Sequence, residues 1–436
     1  MKKAKILIAV LLLALAFALT ACGNNGGGAA TGGNDGVESR GTVTWWTWGD
    51  FEELGIYRMY RYIPDIDVEF TVFPSDEFIS RFQTAVAAGS TLPDIFNVEI
   101  DHRATMYSID GLFHVLDDAP FNIDRSVMVP FSIPLVSNPQ GQILGVQIDN
   151  CVGGFLFKRD LALEFFGTDD VDEVEALFQT PEDYVYWARR VYEQSNGRVN
   201  MFASAGDAFR AFGSLGHGNS APKVVDYQLN IRNLFMDTFN IMEGLARYNG
   251  IGTHTGWSPG WMASFSGDDV IFFPGPTWFI SHVVKPNDPD GVGNWGLISP
   301  PGGAFSWGGT AYSIPLGAEN PELAWEVIRW LTLSQAGAES FFSAHSTPTL
   351  YLPAYATDLY TNNPDPFFRG QDIVSKMLDI ATHPNTQSRP LSVFDSFLVG
   401  AAASAWIEMV DNGLSAADAM DMFEEEAMFM DARLHR

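Results

Sequence analysis

The hydrophobic positions of the chain switch between two periods, and the switches mark its elements. Positions 42–47 are β-branched or aromatic throughout, with Gly41 ahead of them and Trp48, Gly49 and Asp50 behind, which predicts a strand ending in a turn. A helix is expected over 51–62 and a second strand over 67–73. Phe78, Ile79, Phe82, Ala85 and Val86 then recur at helical spacing, so a helix is expected over 75–88, stopped by Gly89. Positions 92–99 predict a third strand with Glu99 and Asp101 at its carboxyl end. Strands and helices in this order belong to a parallel sheet covered by helices.

Farther along, 143–148 and 153–157 read as strands with Asp149, Asn150 and Cys151 between them. Thr180, Pro181, Glu182 and Asp183 form a helix start: a capping hydroxyl, a proline at the first helical position and acids in the first turn. Tyr184, Trp187, Ala188 and Val191 supply that helix with an apolar face, and 224–248 reads as largely helical. Trp257 and Trp261 flank a Ser-Pro-Gly loop. A short strand is expected over 268–273, and Pro274 to Trp278 then turn into a helix. Positions 295–298 predict a strand, and Trp307, Gly308 and Gly309 lead another that runs to Ile314. Asn320, Pro321 and Glu322 cap a helix whose face carries Leu323, Val327, Ile328 and Leu331. From Phe367 to the end the pattern is helical, the glycine-rich stretch 213–218 reads as a loop, and no tandem repeat is visible.

The first residues do not belong to this pattern. Lys2, Lys3 and Lys5 precede an unbroken apolar run over 6–19, short of the ~20 residues a membrane span needs. Leu19, Thr20, Ala21 and Cys22 follow, and together these features resemble a bacterial lipoprotein signal over 1–22, which leaves Cys22 as a lipid-bearing N-terminus. Positions 23–39, rich in Gly and Asn, cannot bury a core and form a flexible tether with a reach on the order of 20 Å. The formal charge is −28, and without the three leader lysines it is −31, which excludes nucleic acid as a partner. Cys22 and Cys151 are the only cysteines; with Cys22 acylated there is no intramolecular disulfide, and the fold must stand on its core. The remaining ~414 residues suffice for two domains.

Ligands of open α/β sheets bind past the carboxyl ends of the strands. Trp46, Trp48 and Asp50 fall there, and flat apolar faces beside carboxylates suit a sugar, with its C–H faces and hydroxyl edges. Trp45 and Trp46 point to opposite faces of their strand, so either one is equally well a core residue. No catalytic or phosphate-loop motif is present, the eight histidines lack metal-ligand spacing, and no cofactor is expected.

Several blocks, in their order along the chain, resemble the extracellular solute-binding proteins of ABC importers, in the sugar-type family that includes maltose-binding protein. They are Gly308 to Pro315 continuing into Asn320-Pro321-Glu322-Leu323-Ala324-Trp325; Gly145 to Asp149 continuing to Leu161, where Phe157-Lys158-Arg159 replaces the usual Tyr-Asn-Lys; Leu92-Pro93-Asp94; and Pro274 to Trp278. The resemblance implies an α/β, two-lobed periplasmic-binding-protein-like fold, each lobe a mixed, mostly parallel sheet flanked by helices, with the ligand cleft between the lobes. Lobe one is then 40–150 plus 297–343, lobe two 151–296 plus 344–436, with hinges near 149–153, Gly296 and Ala344. By motif it implies ligand contacts from Trp46, Trp48 and Asp50, from Glu99 and Asp101, from Asp149 and Asn150, from Trp278, and from Trp307 and Gly308, with Trp257 and Trp261 as further candidates. The implied protein is a monomeric, membrane-anchored extracellular or periplasmic lipoprotein, not an enzyme. It takes an oligosaccharide and delivers it to importer permease subunits. Two other readings remain: the same fold binding a peptide, polyamine or other small solute, and a secreted glycoside hydrolase using two carboxylates among Asp50, Glu99 and Asp149.

Overall fold

The computed structural model describes residues 38–49, 55–56, 58–213 and 220–436. The leader with Cys22, nearly all of the tether, Asp50, positions 51–54 and 57 of the helix expected over 51–62 and most of the 213–218 loop lie outside the described residues. The strands are β1 (Gly41–Thr47), β2 (Ile66–Val72), β3 (Ile95–Glu99), β4 (Val146–Gln147), β5 (Val152–Lys158), β6 (Asn200–Phe202), β7 (Val224–Val225), β8 (Gln228–Leu229), β9 (Val270–Pro276), β10 (Trp295–Ile298), β11 (Phe305–Ser306) and β12 (Thr310–Ser313). They form two five-stranded sheets and one small ribbon, β7-β8.

The first sheet runs β2-β1-β3-β12-β4. β1 is parallel to β2 and β3, with Trp45 opposite Phe70 and Ile95, whereas β12 is antiparallel to both β3 and β4. Alternation along β1 sends Val43 and Trp45 into one core, and Trp46 with Trp48 against the other, around Phe78, Phe82 and Phe96. Trp45 has no exposed surface, and its indole donates to Asn97 Oδ1 at 2.8 Å. Burying a side chain of that size contributes upwards of ~2 kcal/mol. Asp94 then ties three elements. It accepts from the Thr44 backbone and hydroxyl at 2.9 Å and from Asn320 N–H at 2.6 Å, at the start of the helix Pro321–Thr332. Asn320 does not cap that helix with its side chain; the amide donates to Thr42 O at 3.0 Å and fastens the helix to β1.

The second sheet runs β10-β5-β9-β6, with β11 also on β5. Every residue of β5 is buried; Phe155 and Phe157 enter one core and Leu156 the other. The sheet is mixed, but only the β6–β9 pairing is parallel, where the strand-and-helix pattern predicts a mostly parallel sheet. The reason is long-range: β9 inserts between β5 and β6, and β10 and β11 double back along β5. Helices Ala205–Phe212, Ile231–Ala246, Asp395–Asn412 and Ala416–Met430 cover one face.

Local differences have similar causes. The strand expected over 143–148 contracts to β4, the helix over 224–248 begins only at Ile231 after the β7-β8 ribbon, and 383–394 is not helical. The helices Ser75–Ala88 and Pro181–Ser195 form as expected, the second with the Asp183 carboxylate accepting from Thr180 N–H at 2.7 Å.

The chain passes between the sheets at three adjacent places. Asn150 N–H donates to Pro348 O at 3.1 Å, Leu350 N–H to Ile148 O at 3.3 Å, and Trp307 N–H to Cys151 O at 2.9 Å. Since β10 and β11 both pair with β5, the middle passage falls at 307–309 rather than at 297. Gly296 is no hinge: it is buried within β10, opposite Phe157. Among the described residues no helix is long and apolar enough to cross a membrane.

Candidate functional site

The passages are clamped by an arginine. Arg103 lies one turn beyond Glu99 on the helix Ile100–Tyr107 and has no exposed surface. Its guanidinium donates to Val98 O at 3.2 Å, Leu135 O at 3.2 Å, Gln147 Oε1 at 3.0 Å and Gly309 O at 2.5 Å. Gln147 in turn donates to Asp149 O at 3.0 Å, so one side chain holds both the 148–151 and the 307–309 passages. Gly309 is needed for this approach: its φ is +114°, and a Cβ there would sit 2.6 Å from the Gln147 amide carbon. Gly308, at φ +79°, brings the same passage within van der Waals reach of Trp278, whose indole would meet an added Cβ at 3.2 Å.

Carboxylates gather beside this clamp. Glu99 ends β3 and caps the helix by accepting from Ile100 N–H. Burial pushes its pKa up to about 8, Asp101 and Asp149 push the same way, and Arg103 opposes them. Asp149 is half-buried, and burial raises its pKa as well. The Cys151 thiol, fully buried, donates to Asp149 Oδ1 at 3.3 Å, and burial pushes the thiol well up. A carboxyl group that keeps its proton near neutrality donates a hydrogen bond as well as accepting one. Asn150 is buried and pins the passage: Oδ1 accepts from Val152 N–H at 3.0 Å, and its carbonyl accepts from the Thr277 hydroxyl at 3.2 Å.

The second lobe supplies aromatic faces. Trp278 follows β9 directly, half-buried, and donates to Trp307 O at 2.9 Å, with ring centroids 5.2 Å apart. Trp257 is 54 % exposed, its ring plane within 4° of parallel to Trp278 at 6.4 Å and 5.8 Å from Trp307. Its φ of +67° is left-handed, a conformation that costs a non-glycine residue about 1–3 kcal/mol and collects at functional sites. The Arg210 guanidinium lies 3.6 Å over the Trp307 ring.

A cavity of about 580 Å³ opens between the helix Ile100–Tyr107 and the segment 386–399, with Asp101, His102, Trp307 and Gly308 in its wall. The structure thus collects Glu99, Asp101, Asp149 and Asn150 with Trp257, Trp278, Trp307 and Gly308 around the passages. It places others elsewhere. Trp46 packs edge-on against Phe73 at 5.0 Å, and both Trp46 and Trp48, half-buried, rest on the first lobe's phenylalanine core. Trp261 is a correction: it is 1 % exposed and donates to Asp207 Oδ2 at 2.7 Å, because the Ser258 cap at Trp261 N–H turns it inward under Trp257. Arg103, Gln147 and Arg210 were not foreseen; only the spacing of Arg103 from Glu99, one helical turn, could have pointed to it. Among the described residues no His, Cys, Asp or Glu cluster could hold a metal ion.

The profile of the bacterial extracellular solute-binding protein family matches residues 62–368. No curated protein matches significantly. Among solved structures, an extracellular solute-binding protein of family 1 superposes with a TM-score of 0.78 at 20 % identity, over 88 % of this chain and 98 % of its own. The sugar-binding protein MalE of Xanthomonas citri gives 0.71 at 16 %, over 90 % and 98 %. The galacto-N-biose-/lacto-N-biose I-binding protein of the ABC transporter of Bifidobacterium longum gives 0.67 at 15 %, over 91 % and 98 %.

Proposed function

Because the chain belongs to the bacterial extracellular solute-binding protein family, we propose that it captures an oligosaccharide between its lobes and hands it to the permease of an ABC importer. The family and its structural relatives are substrate-binding proteins rather than enzymes. One observation carries the sugar reading: the indoles of Trp257, Trp278 and Trp307 cluster on the second-lobe side while Glu99 and Asp149 converge from the first. Indole faces stack on the C–H faces of pyranose rings, and a carboxyl group that keeps its proton, as Glu99 does near neutrality, both donates to and accepts from sugar hydroxyls. Three indoles offer more stacking surface than one ring needs. Two of the superposed relatives are named for sugars, which supports the same reading. In this reading Cys22 carries the lipid that holds the protein at the outer face of the membrane; mass spectrometry of the mature N-terminus tests it, and an unmodified N-terminus downstream of Cys22 rules it out.

The deciding experiment for the ligand is a thermal-shift screen of mono- and oligosaccharides, amino acids, peptides and polyamines. A ligand that binds only the folded state stabilises it by ~2.7 kcal/mol at a hundredfold excess over Kd. Oligosaccharides are expected to raise the melting temperature and to be recovered uncut. A screen in which only peptides or polyamines do so overturns the sugar reading.

A further inference from the structure

The wall of the cavity opposite the helix Ile100–Tyr107 carries cations, in a chain whose formal charge is −28. Lys223 and Arg389 both line it, at the base of the helix Asp395–Asn412. They share one counter-ion. Arg389 grips Asp395 through both terminal nitrogens, at 2.9 and 2.6 Å, and Lys223 Nζ lies 3.2 Å from Asp395 Oδ1. Asp395 also accepts from Ser392 N–H at 2.8 Å, so its oxygens are fully engaged. Both cations are withdrawn from water, the arginine side chain 9 % and the lysine 16 % exposed. Arg389 Nε has no hydrogen-bond partner among the described residues. Two cations on one carboxylate leave a positive charge uncompensated. Burying a cation is costly unless a counter-charge offsets it. Asp101, on the facing wall, acts on Arg210, which is itself paired with Asp207 at 3.3 Å and leans on Trp307.

We propose that the ligand carries a carboxylate and that Lys223 and Arg389 seat it: the solute is an acidic saccharide, of the uronic-acid class. The inference rests on the sugar reading above and deepens it. Thr386 and Gln387 line the same cavity and offer hydroxyl and amide groups to a polyol, while Trp307 offers a stacking face beside them. A carboxylate arriving there supplies the missing counter-charge, and a guanidinium–carboxylate contact adds directional hydrogen bonds to the attraction.

The test titrates the full mature chain calorimetrically with uronic-acid oligosaccharides and with their neutral counterparts of the same linkage. The acidic member of a pair is expected to bind at least about tenfold tighter at low salt, with the advantage shrinking as ionic strength rises. Lys223→Gln should lower the affinity for the acidic ligand about tenfold and leave the neutral one unchanged. Arg389→Lys, which keeps the charge but loses the fork, gives a second reading should Arg389→Gln fail to fold. Equal affinity within each pair, or a Lys223→Gln variant that weakens both members alike, overturns the carboxylate seat and leaves the sugar reading standing. If no saccharide binds but an acidic peptide does, and Lys223→Gln abolishes that, the seat stands and the sugar reading falls. Binding of neither overturns both.

Discussion

The first lobe comes to the cleft with carboxyl groups and the second with indoles, and the two sets are held by opposite means. Glu99 and Asp149 stand next to a hydrogen-bonded lattice in which Arg103, Gln147 and the backbone of Gly309 satisfy one another. Trp257 has half its surface in solvent and a left-handed backbone, steadied mainly by ring contacts to Trp261, Trp278 and Trp307. A polar group buried without partners is expensive, so the polar wall must be complete before a ligand arrives. An aromatic face incurs no such penalty and can wait in water. The contrast therefore predicts that damage to the first wall appears as lost stability and damage to the second as lost affinity.

Arg103→Ala should have the largest effect. It strips donors from the carbonyls of Val98, Leu135 and Gly309, and a loss of about 3–5 kcal/mol is expected in chemical denaturation. A loss below about 1 kcal/mol would mean that the polar wall does not depend on the clamp. Trp278→Ala comes next, on the other side of the comparison: sugar binding should weaken by about 1–3 kcal/mol in calorimetry. A folded variant that binds normally would dissolve the distinction. Gly308→Ala tests where the walls meet. Its left-handed φ and the nearby Trp278 indole should lower stability by about 1–2 kcal/mol and displace the indole, so that stability and affinity fall together.

The last effect is read as a slope. Glu99 holds its proton up to about pH 8 when folded, against an ordinary value of 4.5, so the folded state binds the extra proton between them. Its contribution is fully present below about 4.5 and is lost as pH rises through 8, so ligand-free melting temperatures should decline across that window. Asp149 and Asp207 are raised by burial too, so Glu99→Gln should flatten the decline only in part. An unchanged slope would place the titration elsewhere.

What the sequence revealed follows the same division. The helices Ser75–Ala88 and Pro181–Ser195 were legible because period, caps and stops are local, and Trp278 and Gly308 because each sits in a turn that a strand announces. The antiparallel pairings of the second sheet were not, because the insertion of β9 beside β5 joins segments more than a hundred residues apart. Arg103, Arg210, Lys223 and Arg389 were hidden for a different reason. A polar residue on a helix or loop reads as solvent-facing until the fold closes over it, and Trp261 misled in reverse, a loop tryptophan that its own helical turn carries inside.

Cys151 gives the molecule a clock. The body holds this one thiol, fully buried at the passage between the lobes and kept protonated there, and only a thiolate attacks an alkylating reagent. Each modification therefore counts an excursion in which the passages part and water reaches the sulfur. Timed alkylation of the native, unlabelled protein follows the population of the open form, and a saturating ligand should make that clock run slow.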